Sequence, residues 1–338
     1  MPGPVDVALV SLGTTPGLRR ADEAFAAALR AAGLGCEVFH VSIGAAGRLR
    51  RHPAVTDLVE ALAARGAAGP ADARVTIHST VTAALLQRGD GPYAVRFDAP
   101  AALNRPGAAG AWQRRAERRT LAGARVLLPW SDAAGAAAPG PVPRIVVPVA
   151  IPEQPASAGR DIDALAYAGN PRKRGLDLLC RAWAAAPAGV RLVIGGIERA
   201  EGVRWLRRAG VPEPEGVEWR GPVAHAEWLE MAGRARLFVN ASRWEDYGIS
   251  QLEALSAGAA LVTVPSPGPY EALGLARRLA PDLVDGDLAA AVAHGLALGE
   301  SELESYRRKA AEALAPYRPE TVQRIVADRV VPKLGLAA

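Results

Sequence analysis

The sequence has two cysteines, Cys36 and Cys180, among 338 residues, so it carries no disulfide framework and no cysteine-based zinc site. Aromatic residues make up 5% of the chain, too few for a surface that stacks nucleobases along a strand. No apolar run reaches the roughly 18 residues that a membrane span requires. The first residues, Met1-Pro-Gly-Pro-Val-Asp, lack the basic stretch of a secretion signal, which leads us to expect a cytoplasmic protein. Neither half carries Gly-x-Gly-x-x-Gly after its first strand. Gly13 and Gly17 are wrongly spaced, and Gly195-Gly196 lacks a third glycine, which argues against a dinucleotide-dependent dehydrogenase.

What is present is globular. Half of the residues are apolar and 22% are charged, with a net charge of +5. That length suits two domains. Arg114, Arg115, Arg118 and Arg119 form the densest basic cluster. With Trp112 they read either as a solvated helix face in an arginine-rich chain or as a contact for an anionic membrane surface. Specific nucleic-acid binding has no motif to support it.

Short β-rich runs alternate with helical stretches along the first half. Strands are expected at Val5–Ser11, Cys36–Ile43, Arg74–Ser79, Tyr93–Phe97, Arg125–Pro129 and Arg144–Val149, with a helix over Ala21–Ala32. Ile151–Asp163, rich in Pro, Ser and Gly, reads as a linker. The pattern then restarts: strands at Ala164–Ala168, Val190–Gly195, Leu237–Asn240 and Ala260–Val264, helices at Leu176–Ala185, Ala226–Ala232 and Gln251–Ala257, and a turn at Trp219. Alternating strands and helices predict parallel sheets. We therefore expect an α/β chain of two Rossmann-like domains facing a central cleft, 1–150 and 164–316. Amphipathic helices at Glu300–Leu314 and Pro319–Leu334 close the chain, the last (317–338) crossing back to the first domain.

The most informative stretch runs from Asn240 to Val264. A strand leads into a loop with Glu245, Gly248 and Ser250; a helix follows, carries Glu253 and ends at Gly258. The N–H groups and dipole of a helix start suit a diphosphate. Ser250-Gln-Leu-Glu253 also has the spacing of a capping box, which accounts for Ser250 and Glu253 in any protein but leaves Glu245 and Gly248 unexplained.

As a whole the stretch resembles the E-x7-E signature of retaining GT-B glycosyltransferases, specifically the family 4 group. Ser242, Glu245, Tyr247, Gly248, Leu252, Glu253, Ala254 and Gly258 fall in place, followed by Leu261-Val262. Gly169-Asn-Pro-Arg-Lys-Arg-Gly resembles the family's loop after the linker, Gly221-Pro-Val the segment lining its base pocket, and Arg115–Ser131 the helix and strand before the linker. The resemblance implies a metal-independent transferase that moves a sugar from a UDP- or GDP-sugar to an unidentified acceptor hydroxyl, with no cofactor beyond the donor substrate. It implies that Glu253 binds the donor ribose and Glu245 the donor sugar. Backbone at Gly248, Ile249 and Ser250 would hold the phosphates beside Tyr247, with Arg174 neutralising the leaving diphosphate. Val223 would line the base pocket, Gly13 would face the donor, and His78 would sit against the transferred sugar. Asn170 stands where the family often has arginine, so Arg172 or Lys173 competes with Arg174 for the diphosphate; Pro269 replaces a common second glycine.

Arg96 and Asp98, at a strand end, either touch the acceptor or form a local ion pair. Asp161-Ile-Asp163 and Asp285-Gly-Asp287 read as solvated loops, because no further ligand is spaced to complete a metal's oxygen shell. The alternatives are a non-catalytic nucleotide-sugar or glycan binder and a nucleotide-sugar epimerase on the same fold.

Overall fold

The computed structural model describes residues 5–44, 53–67, 73–87, 91–154 and 159–336. Residues 155–158 of the expected linker lie outside that set. The chain divides into two compact units, one formed by Met1–Ala150 with Pro316–Ala338 and the other by Ile151–Ala315.

The first unit is built on β1 (Val7–Ser11), β2 (Cys36–His40), β3 (Val75–His78), β4 (Tyr93–Phe97) and β5 (Val126–Pro129). They form one parallel sheet in the order β2-β1-β3-β4-β5. Between them run α1 (Pro16–Ala31), α2 (Pro53–Gly66), α3 (Val81–Ala84), α4 (Ala101–Asn104) and α5 (Ala111–Ala122); α6 (Asp132–Ala137) follows β5. Strands covered on both faces need no alternation, and β1 and β5 are buried at every position. Val7, Leu9, Phe25, Leu29, Ile77 and Leu128 pack on one face together with Val322, Val326, Val330 and Leu334 from the chain's end.

The second unit repeats the scheme. Its strands are β6 (Ile162–Tyr167), β7 (Leu192–Gly195), β8 (Val217–Gly221), β9 (Ala235–Asn240) and β10 (Ala260–Thr263), parallel in the order β10-β9-β6-β7-β8. Its helices are α7 (Leu176–Trp183), α8 (Arg199–Arg208), α9 (His225–Arg234), α10 (Ile249–Ser256), α11 (Glu271–Leu279), α12 (Leu288–Ala297) and α13 (Glu300–Ala313). The chain ends in α14 (Pro319–Ile325), a π-helical turn at Val326–Val330 and α15 (Val331–Leu334). No helix among the described residues is long and apolar enough to cross a membrane.

Three expectations need correction. Arg144–Val149 is not a strand: it runs beside β5 with a single bridge, Leu127 to Arg144. Backbone bonds from Leu127 N–H to Pro143, from Ile145 N–H to Leu127 and from Val147 N–H to Pro129 tie it to β5, but Pro129 has no N–H to donate the next one, which prevents a full ladder. Trp219 does not open a turn but sits inside edge strand β8, over Gly202, where an added Cβ would meet its ring at 2.4 Å. The final helix is not uniform, since the π-helical turn interrupts it ahead of Pro332.

Candidate functional site

Parallel strands direct their carboxyl ends, and the loops that leave them, to one edge of the sheet. In the second unit that edge gathers the polar residues singled out from the sequence. The loop after β6 carries Asn170 to Gly175, the loop after β9 carries Ala241 to Gly248, and the segment after β10 leads to Tyr270.

Two glycines make these loops possible. Gly175 and Gly248 cap α7 and α10 in the left-handed conformation, with φ of 62° and 99°. A Cβ at Gly175 would lie 2.0 Å from the Ala241 carbonyl oxygen, and one at Gly248 would lie 2.8 Å from the Tyr270 ring. The first pair of loops is thus seated backbone against backbone.

The Ser250–Glu253 capping box does not form. Helix α10 begins at Ile249 after Gly248, and Ser250 instead donates to Gln251 Oε1 at 2.8 Å. Because a left-handed glycine takes the cap position, Glu253 falls in the second turn and its carboxylate is released for other partners. His225 Nε2 lies 2.7 Å from Glu253 Oε1, and Trp228 Nε1 donates to Oε2 at 3.1 Å. His225 and Trp228 are three apart on α9, hence on one helix face. Trp228 is itself packed edge-on between Tyr167 and Phe238. Val223 is half-buried in the short segment just ahead of His225.

Glu245 is 4% exposed and anchors a second group. Its Oε2 forms an ion pair with Arg174 Nη1 and accepts from Gln251 Nε2 at 2.9 Å and Ser242 Oγ at 3.3 Å. Ser242 also donates to Asn240 Oδ1 at 2.7 Å, and Asn240 Nδ2 donates to Thr263 and Tyr270. Burial pushes the Tyr270 phenol well above its ordinary range, so it stays a neutral member of this network. Arg174 lies 5.6 Å from the Tyr167 ring centroid. The two neighbouring cations differ: Lys173 Nζ pairs with Asp246 at 2.6 Å, and Arg172 is exposed. Tyr247 is buried, and its carbonyl accepts from Glu271 N–H.

Within this unit, then, Arg174 and Glu245 meet, while Glu253 stands with His225 and Trp228. Between them lies the start of α10, where Ile249, Ser250 and Gln251 have N–H groups that no carbonyl of their own helix can accept. His225, Trp228 and Gln251 were not singled out from the sequence; the i, i+3 pairing on α9 is the signal that points to the first two. Together the two carboxylates, the cation and the helix start can bind an anion flanked by hydroxyl-bearing groups.

The remaining expected residues belong to the first unit. His78 ends β3; it is 3% exposed, and its Nδ1 has no hydrogen-bond partner. Burial lowers its pKa to about 4, so it is neutral at physiological pH. Gly13 follows β1 in the left-handed conformation. Arg96 is 1% exposed and pairs with Asp22 at 3.2 Å, its guanidinium held between Phe25 and Trp130. The ion pair it forms is not the local one expected with Asp98 but a long-range one with Asp22. Asp98 accepts from Ala99 N–H at 2.8 Å.

The Asp-x-Asp pairs serve structure. Asp161 pairs with Arg234 and Arg191, Asp163 accepts from Arg191 N–H at 2.9 Å, and Asp287 caps α12. Among the described residues no three His, Cys, Asp or Glu side chains converge as a metal site.

Residues 163–297 match the family model described as "Glycosyl transferases group 1". That match covers most of the second unit and 135 of the chain's 338 residues. The chain is accordingly a transferase enzyme. Curated proteins give no significant match to its sequence. Solved structures do resemble it in fold. HepE from Anabaena, in complex with UDP and glucose, superposes with a TM-score of 0.67 at 15% identity, covering 96% of this chain and 99% of its own. WaaG, a glycosyltransferase involved in lipopolysaccharide biosynthesis, gives 0.66 at 15% identity over 95% and 99%. The sucrose-phosphate synthase of Thermosynechococcus elongatus gives 0.64 at 16% identity over 97% and 98%. The fold is GT-B. The glycosyl transferases group 1 match spans the loops after β6, β7, β8, β9 and β10 and includes Arg174, Glu245, Gly248 and Glu253.

Proposed function

We propose that the second unit binds a UDP- or GDP-sugar, and that the enzyme transfers the sugar with retention of configuration to an acceptor hydroxyl, without a metal ion. One observation carries the reading: helix α10 starts at a left-handed glycine between the paired Arg174–Glu245 and the buried Glu253. The diphosphate lies at the N–H groups of Gly248, Ile249 and Ser250, with the helix dipole behind them. Glu253, steadied by His225 and Trp228, accepts from the ribose diol, and Val223 borders the base. Glu245 accepts from sugar hydroxyls. The complex of HepE with UDP-glucose supports a uridine donor.

Departure of the diphosphate from the anomeric carbon develops negative charge. Arg174 and the helix-end amides stabilise that charge from fixed positions, which is the role a divalent ion plays elsewhere. No carboxylate of this site is left without partners to serve as a covalent nucleophile. Attack from the face the diphosphate leaves, with a phosphate oxygen taking the acceptor proton, accounts for retention without one.

The test is thermal stabilisation by a panel of nucleotides and nucleotide-sugars, with and without EDTA, for wild type and Glu253→Ala. A selective shift that survives EDTA and is lost in the variant supports the reading. No shift with any nucleotide refutes it.

A second proposal concerns the first unit: peripheral contact with an anionic membrane at the inner face of the cell. Leu58, Leu62 and Trp112 are 40%, 52% and 37% exposed on α2 and α5. On the same helices Asp57, Glu60 and Glu117 are buried, whereas Arg65, Arg115, Arg118 and Arg119 are exposed. Exposed apolar side chains on helices that also expose arginines suit anionic headgroups. Flotation with phosphatidylglycerol but not phosphatidylcholine vesicles, lost in Trp112→Ala/Arg115→Glu, is the expected result.

A further inference from the structure

The loops after β6 and β9 are joined by two crossed ion pairs. Lys173, on the first loop, reaches Asp246 on the second, Nζ to Oδ2 at 2.6 Å. Arg243, on the second, reaches back to Asp177 in the first turn of α7, with Nη1 and Nη2 on the two carboxylate oxygens at 2.9 and 2.6 Å. The backbone reinforces the crossing: Arg243 N–H donates to the Lys173 carbonyl at 2.9 Å, and its Nη1 donates to the Arg172 carbonyl at 3.2 Å. Trp244 Nε1 occupies the other oxygen of Asp246 at 2.7 Å, so both oxygens of that carboxylate are engaged. The Arg243 guanidinium beside Asp177 holds that carboxyl below its usual range.

Arg174 and Glu245 lie between these two crossings, one on each loop. Lys173 and Arg243 are about a third or more exposed, and pairs of that kind add little to folding stability. Their geometry does something else. It commits the cations on either side of Arg174 to carboxylates of the protein and fixes the backbone that carries Arg174.

We propose that Lys173–Asp246 and Arg243–Asp177 are positioning pairs that set Arg174 against the donor diphosphate, with Lys173 itself making no contact to the phosphates. The inference rests on the donor-site reading above. It decides between Lys173 and Arg174 in favour of Arg174, and it assigns Asp177, Arg243 and Asp246, which no motif marks as binding residues. A positioning role predicts coupling. If Lys173 instead touched the diphosphate and Asp246 merely restrained it, removing Asp246 would release a cation and tighten binding.

The experiment is calorimetric titration of the full chain with UDP and with GDP, for wild type, Lys173→Ala, Asp246→Ala, Asp246→Glu and the Lys173→Ala/Asp246→Ala double variant. Melting curves exclude misfolded samples, and Arg243→Ala with Asp177→Ala repeats the cycle on the second pair should the first prove poorly folded. We expect each alanine variant to weaken nucleotide binding about tenfold, as misplacement of a charged contact does. The double variant should cost no more than either single one, and Asp246→Glu should recover most of the loss. Tighter binding by Asp246→Ala, additive losses, or no loss in any variant would overturn the proposal. A wild type that binds neither nucleotide would instead remove the donor-site reading, and this inference with it.

Discussion

Trp228 donates its indole N–H to Glu253 across 3.1 Å, from helix α9 to the second turn of helix α10. The bond is buried, and His225 holds the opposite oxygen at 2.7 Å. Glu253 therefore has a fixed orientation before any ligand arrives, a condition for strong hydrogen bonding to a diol. Trp228→Phe keeps a ring against Tyr167 and Phe238 but removes the donor. We expect a stability loss of about 1–3 kcal/mol, the usual cost of leaving a buried charged acceptor short of a partner. Nucleotide affinity should fall several-fold in parallel. Denaturant unfolding and nucleotide titration measure the two effects separately.

Gly248 is the hinge between the sugar-side carboxylate and the phosphate-binding helix start. Its φ of 99° is costly for any residue with a Cβ, and the Tyr270 ring leaves no room for one. Gly248→Ala should cost about 1–2 kcal/mol from backbone strain alone, with more from the clash. The same change should abolish nucleotide binding, because the first N–H groups of α10 would be redirected. Retention of wild-type affinity in a folded Gly248→Ala protein would show that the helix start is not the phosphate site.

The stretch from Asn240 to Gly258 was readable because its chemistry is local: strand, glycine, helix and two acids within one loop-helix unit. What surrounds it was not. Glu253 meets its partners 25 and 28 residues away, a separation closed only where α9, crossing from edge strand β8 back to β9 beyond β6 and β7, packs against α10. The Ser250–Glu253 spacing misled for a physical reason, since a glycine one step ahead of Ile249 takes the cap and leaves the serine inside the helix. Arg144–Val149 has the composition of a strand, but Pro129 opposite it in β5 lacks the N–H that would complete the pairing. Helices α8, α11 and α12 escaped notice because glycines, charges or an apolar surface all round blur their periodicity: Gly202 lies in α8, Gly274 in α11 and Gly295 in α12. The buried Arg96–Asp22 pair joins residues 74 apart, and nothing local announces it.

Two buried groups in the first unit make opposite predictions about pH. His78 titrates near 4 in the folded protein because burial disfavours its charged form, against about 6.5 when unfolded. Its contribution is intact above about pH 6.5 and is lost as pH falls toward 4, by up to about 3 kcal/mol. Glu117 is pushed the other way: burial raises it to about 7, partly offset by the Ala101 N–H it accepts at 2.6 Å. Its contribution is intact below about pH 4.5 and is lost as pH rises toward 7, by a similar amount. Unfolding free energies from pH 4 to 8 should separate them. His78→Gln should flatten the acidic fall, and Glu117→Gln should flatten the loss toward neutrality. Identical pH profiles for wild type and both variants would contradict the burial of these groups.

The central claim is that this enzyme cleaves a nucleotide-sugar at the anomeric carbon without a metal and with its configuration retained. The most direct measurement is proton NMR of a UDP- or GDP-sugar incubated with purified protein in EDTA, read at early times before the released sugar mutarotates. The account predicts slow release of sugar whose first anomer matches the donor, and no release by Glu245→Gln or Arg174→Gln. First appearance of the opposite anomer, or turnover that requires added divalent metal, would contradict it.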